Sequence, residues 1–226
     1  MCNLYSITTA VEAMRNLFEV SAERDHLGNA EPLDAVWPKY PAPVVRLTEG
    51  GAREMLPMSW GFLTAKTSKK TGKPIAPAAW NNARADKVAT NGLWKDSFLN
   101  RRCLVPASSF CEAKGRNPAR YFWFGLVGDE PRPPFAFAGL WRDFQPGLSE
   151  DQARETTHTI ITTTANDIVR PVHPDRMPVI LDPADYKQWL TGSADEAKEL
   201  LRPFPAEPMR IVAEGVGLRS DDGTRQ

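Results

Sequence analysis

The stretch Arg102-Cys103-Leu104-Val105-Pro106-Ala107-Ser108-Ser109-Phe110-Cys111-Glu112-Ala113, with Tyr121 to Val127 and Phe135 to Phe144 after it, decides the fold. Arg102–Val105, Phe110–Ala113, Tyr121–Val127 and Phe135–Phe144 are rich in aromatic and β-branched residues, which predicts consecutive strands. Thr157 to Thr164, a run of Thr and Ile, continues the pattern, and Met177 to Leu181 adds a short apolar strand. Working back from Arg102, a helix is expected over Ala85 to Ser97 and a polar loop, rich in Lys, Thr and Gly, over Thr64 to Pro77. Pro43-Val44-Val45-Arg46 and Glu54 to Met58 flank a turn at Glu49-Gly50-Gly51 and read as a hairpin. Residues 26 to 46 form a Pro-rich, irregular connection. Ser6 or Thr8 is expected to cap a first helix in which Val11, Met14, Leu17 and Phe18 recur at helical spacing. Working forward, helices start at Asp182-Pro183 and at Ser193, and Pro208 to Val212 is a last strand. Twenty prolines leave little room for long helices. The expectation is one α+β domain over residues 1–218, a bent, mainly antiparallel sheet or open β-barrel with flanking helices. A frayed tail over 219–226 is expected to follow it.

Composition narrows the function classes. With 42% hydrophobic and 25% charged residues in 226, the chain is neither collagen-like, coiled-coil nor intrinsically disordered. No run approaches the roughly 18 apolar residues of a membrane helix, so no membrane association is expected. The start, Met1-Cys2-Asn3-Leu4-Tyr5-Ser6, lacks a basic patch followed by an apolar core, so no leader peptide is expected. Three cysteines at uneven spacing speak against a disulfide framework and for a reducing, cytoplasmic home. Net charge is zero, yet Gly51 to Gly125 holds thirteen Lys and Arg against four acids, a local +9. Such a basic middle is either a footprint for phosphates or a set of solvated surface charges.

A few residues carry chemistry. Removal of Met1 would make Cys2 a 1,2-aminothiol, whose amine and thiol have reference pKa values of about 7.7–8.0 and about 8.5. Such a group condenses with an aldehyde to a Schiff base and closes a thiazolidine; alternatively, Cys2 is an incidental second residue. His173 sits in Val172-His173-Pro174-Asp175-Arg176-Met177-Pro178, either a proton shuttle held at a strand edge or a structural histidine in a turn. Glu112 is either solvent-facing or buried with a raised pKa. Asn82 and Arg84, just ahead of the expected helix, are open to plain readings as a helix cap and a surface charge. Cys103 and Cys111 lack metal-ligand spacing, and no metal or cofactor is expected.

Taken together, these pieces resemble the SOS-response-associated peptidase (SRAP) family, whose members recognise abasic sites in single-stranded DNA. The matching stretches are Met1-Cys2, Pro43-Val44-Val45-Arg46, Trp60-Gly61, Asn82-Ala83-Arg84, Arg102 to Pro106 through Phe110-Cys111-Glu112, Phe137 to Trp141, Thr162 to Asn166 and His173 to Pro178. The resemblance implies a SRAP-like fold and a role in the DNA damage response. It also implies that Cys2 is the nucleophile that crosslinks to the abasic sugar, and that Met1 is removed by self-processing. By the same resemblance Asn82 holds sugar and amine, Glu112 is the acid/base and His173 opens the sugar ring. Arg84 would contact phosphate and Trp60 and Gly61 would wall the DNA groove, with Arg176, Met177 and Pro178 in the same DNA-binding set. The implied partner is single-stranded DNA containing abasic sites, bound by a monomer. Asn3 and Leu4 stand where the family often has Gly-Arg, and Ala113 where an aromatic commonly follows the Glu; Tyr5, Trp60 or Trp80 would then supply base stacking. An N-terminal-nucleophile cysteine amidohydrolase and a non-catalytic single-stranded DNA-binding module are the alternatives.

Overall fold

The computed structural model describes residues 2–145 and 154–224. In chain order the strands are β1 (Tyr5–Ile7), β2 (Leu33–Val36), β3 (Pro41–Leu47), β4 (Arg53–Trp60), β5 (Phe62–Thr67), β6 (Pro74–Trp80) and β7 (Asn82–Arg84). They continue as β8 (Arg102–Ala107), β9 (Ser109–Lys114), β10 (Arg120–Leu126), β11 (Phe135–Phe144), β12 (Glu155–Thr163), β13 (Met177–Pro178), β14 (Ile180–Leu181) and β15 (Met209–Val216). The helices are short: α1 (Val11–Phe18), α2 (Lys95–Asn100), α3 (Tyr186–Thr191) and α4 (Ala194–Glu199).

Strands β12, β4, β3, β8 and β11 follow one another edge to edge, and β11 pairs back onto β12, so the sheet closes into a barrel. Of these pairings only β12 with β4 is parallel. The expected barrel is therefore closed rather than open, which leaves the ring without free edges. Alternation along its strands separates two cores. Leu104, Ala136, Ala138, Leu140 and Ile161 face outward, where Phe18, Phe98, Tyr186 and Trp189 cover them. Cys103, Val105, Phe135, Phe137 and Ile160 point the other way, into a cluster that also contains Trp60, Tyr5 and Cys2. With helices outside and side chains inside, both faces of β8 are buried, so it reads as a continuous apolar run. Gly139 is required there: a Cβ would lie 2.6 Å from Val105 Cγ2 and 2.9 Å from Cys103 Sγ.

A second sheet, ordered β15-β10-β9-β1-β2, stands beside the barrel. Ser108 alone separates β8 from β9, so one continuous stretch crosses from the barrel into this sheet. The strand expected at Phe135 to Phe144 coincides with β11.

Other expectations require correction. The polar loop over Thr64 to Pro77 is the hairpin β5–β6. Of the helix over Ala85 to Ser97, only the part from Lys95 is α-helical. The Asn91 side chain accepts from Leu93 N–H at 2.9 Å, a local bond that competes with helix continuation. Ser6 lies in β1 rather than at a cap, and α1 starts at Val11 with Ala10 at its N-cap and no side-chain cap bond. Of the tail expected over 219–226, residues 219–224 do not simply fray, and Arg225 and Gln226 lie outside the described residues. Asp221 is fully buried, and its carboxylate accepts from Arg132 Nε at 2.7 Å and from Ser109 Oγ at 2.6 Å.

Candidate functional site

Cys2 lies where the amino-terminal segment runs beside β9. The pairing of Tyr5 with Phe110 and Ser6 with Ser109 is extended by Cys111 N–H, which donates to Leu4 O at 2.9 Å. That register carries the start of the chain toward Glu112. Cys2 is fully buried, and its thiol donates to Leu4 O at 3.5 Å. Burial, and then the negative charge of Glu112, push the thiol well above its ordinary pKa.

Asn82 arrives from the barrel side. Its strand β7 pairs in parallel with β12, opposite Ile160. Asn82 Nδ2 donates to the Cys2 carbonyl at 2.7 Å, and Asn81 Nδ2 does the same at 3.1 Å. Asn82 Oδ1 is buried and has no partner among the described residues, so it presents a ready acceptor at this corner.

Glu112 sits on β9 opposite Phe122, buried at 4% exposure. Removal from water pushes its carboxyl up from 4.5 to about 7, against the pull of the positive amino terminus. His173 comes from the turn between β12 and β13. Lys114 Nζ, at the end of β9, donates to Pro171 O at 2.8 Å and ties that turn to the Glu112 strand. Arg176 N–H donates to His173 Nδ1 at 3.2 Å, so the neutral ring carries its proton on Nε2. Desolvation, and then the charge of the amino terminus, lower the His173 pKa. Asn82 bonds Cys2, Cys2 feels the charge of Glu112, and Lys114 ties the His173 turn to the Glu112 strand. Cys2, Asn82, Glu112 and His173 thus share one locus.

The cationic rim is built differently. Arg84 donates two hydrogen bonds to Asp86, at 3.0 and 2.7 Å, and Arg176 Nη2 reaches the same carboxylate at 3.3 Å. The trio is solvent-accessible and nets one positive charge. Arg84 is therefore not the free cation that a phosphate contact suggests.

Four further residues of the expected DNA-binding set are buried. Trp60 and Met177 have no exposed surface, and Gly61 and Pro178 are buried beside them. Trp60 is no groove wall: its ring packs edge-on against Tyr5, and its Nε1 donates to Asn81 O at 2.8 Å. Gly61 holds φ +124°, and a Cβ there would lie 2.9 Å from that of Ala79, so glycine serves the turn into β5. Of the three candidate stacking aromatics, Tyr5 and Trp60 are fully buried, whereas Trp80 is half exposed at the end of β6. Lys66, Lys69, Lys70 and Lys73 are exposed on the same hairpin. Two participants escaped sequence reasoning. Asn81 carries no local signal of its role, which depends on the fold bringing residue 81 to residue 2. Asp86, two residues after Arg84, is the one that a spacing argument could have found.

The SOS response associated peptidase (SRAP) family model matches residues 1–216. The abasic site processing protein YoqW of Bacillus subtilis is 30% identical over 168 residues, covering 72% of this chain and 70% of that protein. YoaM of the same organism, also an abasic site processing protein, is 29% identical over 220 residues, covering 92% and 88%. Among solved structures, a Bordetella bronchiseptica protein matches with a TM-score of 0.73 at 23% identity, over 95% of this chain and 99% of its own. A Bacteroides thetaiotaomicron protein gives 0.70 at 20% identity, over 95% and 91%. The structural matches establish the shared fold. With the family match running from the amino terminus through β15, this chain belongs to the SOS response associated peptidase family, homologous to the abasic-site processing proteins of B. subtilis.

Proposed function

We propose that this protein captures abasic sites in single-stranded DNA through a covalent thiazolidine on Cys2, formed once Met1 has been removed. Attack of the Cys2 thiol on the Met1 carbonyl carbon breaks the Met1–Cys2 C–N bond and frees the Cys2 amine. Hydrolysis of the resulting thioester releases methionine and restores the thiol. An abasic sugar equilibrates between a closed ring and a small open-chain aldehyde fraction. His173, kept neutral by its lowered pKa and carrying its proton on Nε2, assists ring opening. The Cys2 α-amine adds to the aldehyde carbon, and loss of water gives an imine. The thiol then adds across the C=N bond: sulfur bonds to carbon, the proton passes to nitrogen, and the five-membered ring closes.

Glu112 suits the proton transfers. A carboxyl titrating near 7 is present in both forms at neutral pH, and general acid–base help of this kind contributes about 10²–10⁴-fold. The buried thiol rests protonated, so the amine attacks first. Asn82 Oδ1 accepts from the amine or a sugar hydroxyl. The Arg84–Asp86–Arg176 cluster, with its net positive charge, faces flanking phosphates, and the exposed face of Trp80 receives a base. A single strand fits because the aldehyde carbon must be reachable.

The observation that carries this reading is the convergence of two amides, a near-neutral carboxyl and a neutral imidazole on the one residue that Met1 removal turns into an aminothiol. The names of the B. subtilis relatives support the substrate. Incubation with an abasic-site oligonucleotide and separation on a denaturing gel tests it. Wild-type protein should give a covalent shifted band, and Cys2→Ala none, while a native gel shows binding retained. A heat-stable band from Cys2→Ala would overturn the mechanism.

A further inference from the structure

One side-chain amide at the site has both its protons engaged. Asn81 Nδ2 lies 3.1 Å from the Cys2 carbonyl and 2.8 Å from Asn3 Oδ1. An amide nitrogen carries two protons, so one serves each acceptor. The main chain of Asn81 is equally determined, because its carbonyl accepts from the buried Trp60 Nε1 at 2.8 Å and from Ile160 N–H at 3.1 Å. A continuous set of bonds therefore runs from the barrel core through Trp60 and Asn81 to the first peptide planes of the chain. Chain ends fray unless they are tied down. Here the tie is on the residue whose amine and thiol must both reach one carbon atom.

We infer that Asn81, paired with Asn3, is a positioning residue for Cys2. Asn82 and Asn81 pin the Cys2 carbonyl from two directions, and Leu4 O accepts from the thiol. With the carbonyl fixed, the Cys2 Cα becomes a hub whose amine and thiol point in set directions. Removing the Asn81 donor frees rotation of the Cys2–Asn3 peptide plane and spreads the attack geometry. Asn3 contributes by orienting the Asn81 amide, which makes residue 3 part of the site. The inference rests on the proposed role of Cys2 as the reacting residue.

The test uses full-length protein lacking Met1, with an abasic single-stranded oligonucleotide and, separately, glycolaldehyde. Asn81→Leu should lower the maximal rate of adduct formation about tenfold to a hundredfold with both aldehydes. Half-saturation by DNA and the pH of the rate inflection should be unchanged, since phosphate contacts and Glu112 are untouched. Asn3→Ala, at an exposed side chain, should also slow the reaction, and the double variant should be no slower than Asn81→Leu alone, because the two act as one unit. A wild-type maximal rate in Asn81→Leu, or independent multiplying defects in the double variant, overturns the inference. If Asn81→Leu does not fold, Asn3→Ala carries the test, and a wild-type rate in that variant overturns it. Wild-type protein that forms no adduct at all is a different result, and defeats the proposed reaction itself.

Discussion

Arg132 with Asp221 and Arg84 with Asp86 are the same chemical pair, each a guanidinium making two hydrogen bonds to one carboxylate. Their surroundings set them apart. The Arg132 and Asp221 side chains are 3% and 0% exposed, whereas those of Arg84 and Asp86 are 52% and 49% exposed. The buried pair gathers distant parts of the chain. Asp221 also accepts from Ser109 on β9, Ser109 meets Ser6 on β1 at 2.7 Å, and Arg132 donates to Val212 O at 3.1 Å. The exposed pair joins residues two apart and then shares its carboxylate with Arg176. Burial, rather than the chemistry of the pair, decides which one holds the fold and which one sets the charge of a surface.

The largest expected effect is at the buried pair. Asp221→Ala takes away the carboxylate on which a buried guanidinium depends, and should lower folding stability by about 3–5 kcal/mol. Urea denaturation reads this, and Asp86→Ala should barely move the same midpoint. Equal losses would erase the distinction.

The exposed pair is tested through binding. Asp86→Asn releases Arg84 and Arg176 from their shared counter-charge, so affinity for single-stranded DNA should rise. Each added phosphate contact should steepen the log–log salt dependence by about 0.7. Its bonds to Arg84 hold the Asp86 carboxyl at about 2, so the difference should persist across the working pH range. An unchanged salt slope would make the rim a bystander.

A subtler effect is expected at Glu112. Its carboxyl titrates at about 7 when folded and near 4.5 when unfolded. Between those values the folded state holds more protons, so this group's contribution to stability falls as pH rises from about 4.5 to 7. Glu112→Gln should remove that slope, and should also remove the inflection near pH 7 from the rate of DNA adduct formation. A slope unchanged in the variant would assign it to another group.

The same contrast between burial and composition explains what was legible in the sequence. Strand β11 could be placed residue for residue because its two faces pack against two cores, and its aromatic and aliphatic alternation records both. Hairpin β5–β6 is mostly exposed on its outer half, so its Lys, Thr and Gly read as loop. The polar end beyond Leu218 read as frayed because nothing local reveals that Asp221 meets Arg132, 89 positions earlier. Cys2, Asn82, Glu112 and His173 each carry an ordinary structural reading beside the chemical one, and the family resemblance is what gathers them into one expected site. Trp60 went wrong for the opposite reason. A tryptophan beside a glycine fits a groove wall or a core equally well, and only the closed barrel shows it inside.

The central claim is that an aminothiol at residue 2 does the chemistry, and Cys2→Ser tests it most directly. The variant keeps the amine and replaces the ring-closing sulfur with a weaker partner. Treated with an abasic-site oligonucleotide and borohydride, Cys2→Ser should yield a trapped adduct whose mass, after digestion, places a reduced imine on the α-amine of residue 2. Without borohydride it should yield little heat-stable product, while wild-type protein lacking Met1 yields a stable adduct of thiazolidine mass. A heat-stable wild-type level of product from Cys2→Ser without reductant, or an adduct mapped to any other residue, would contradict the account.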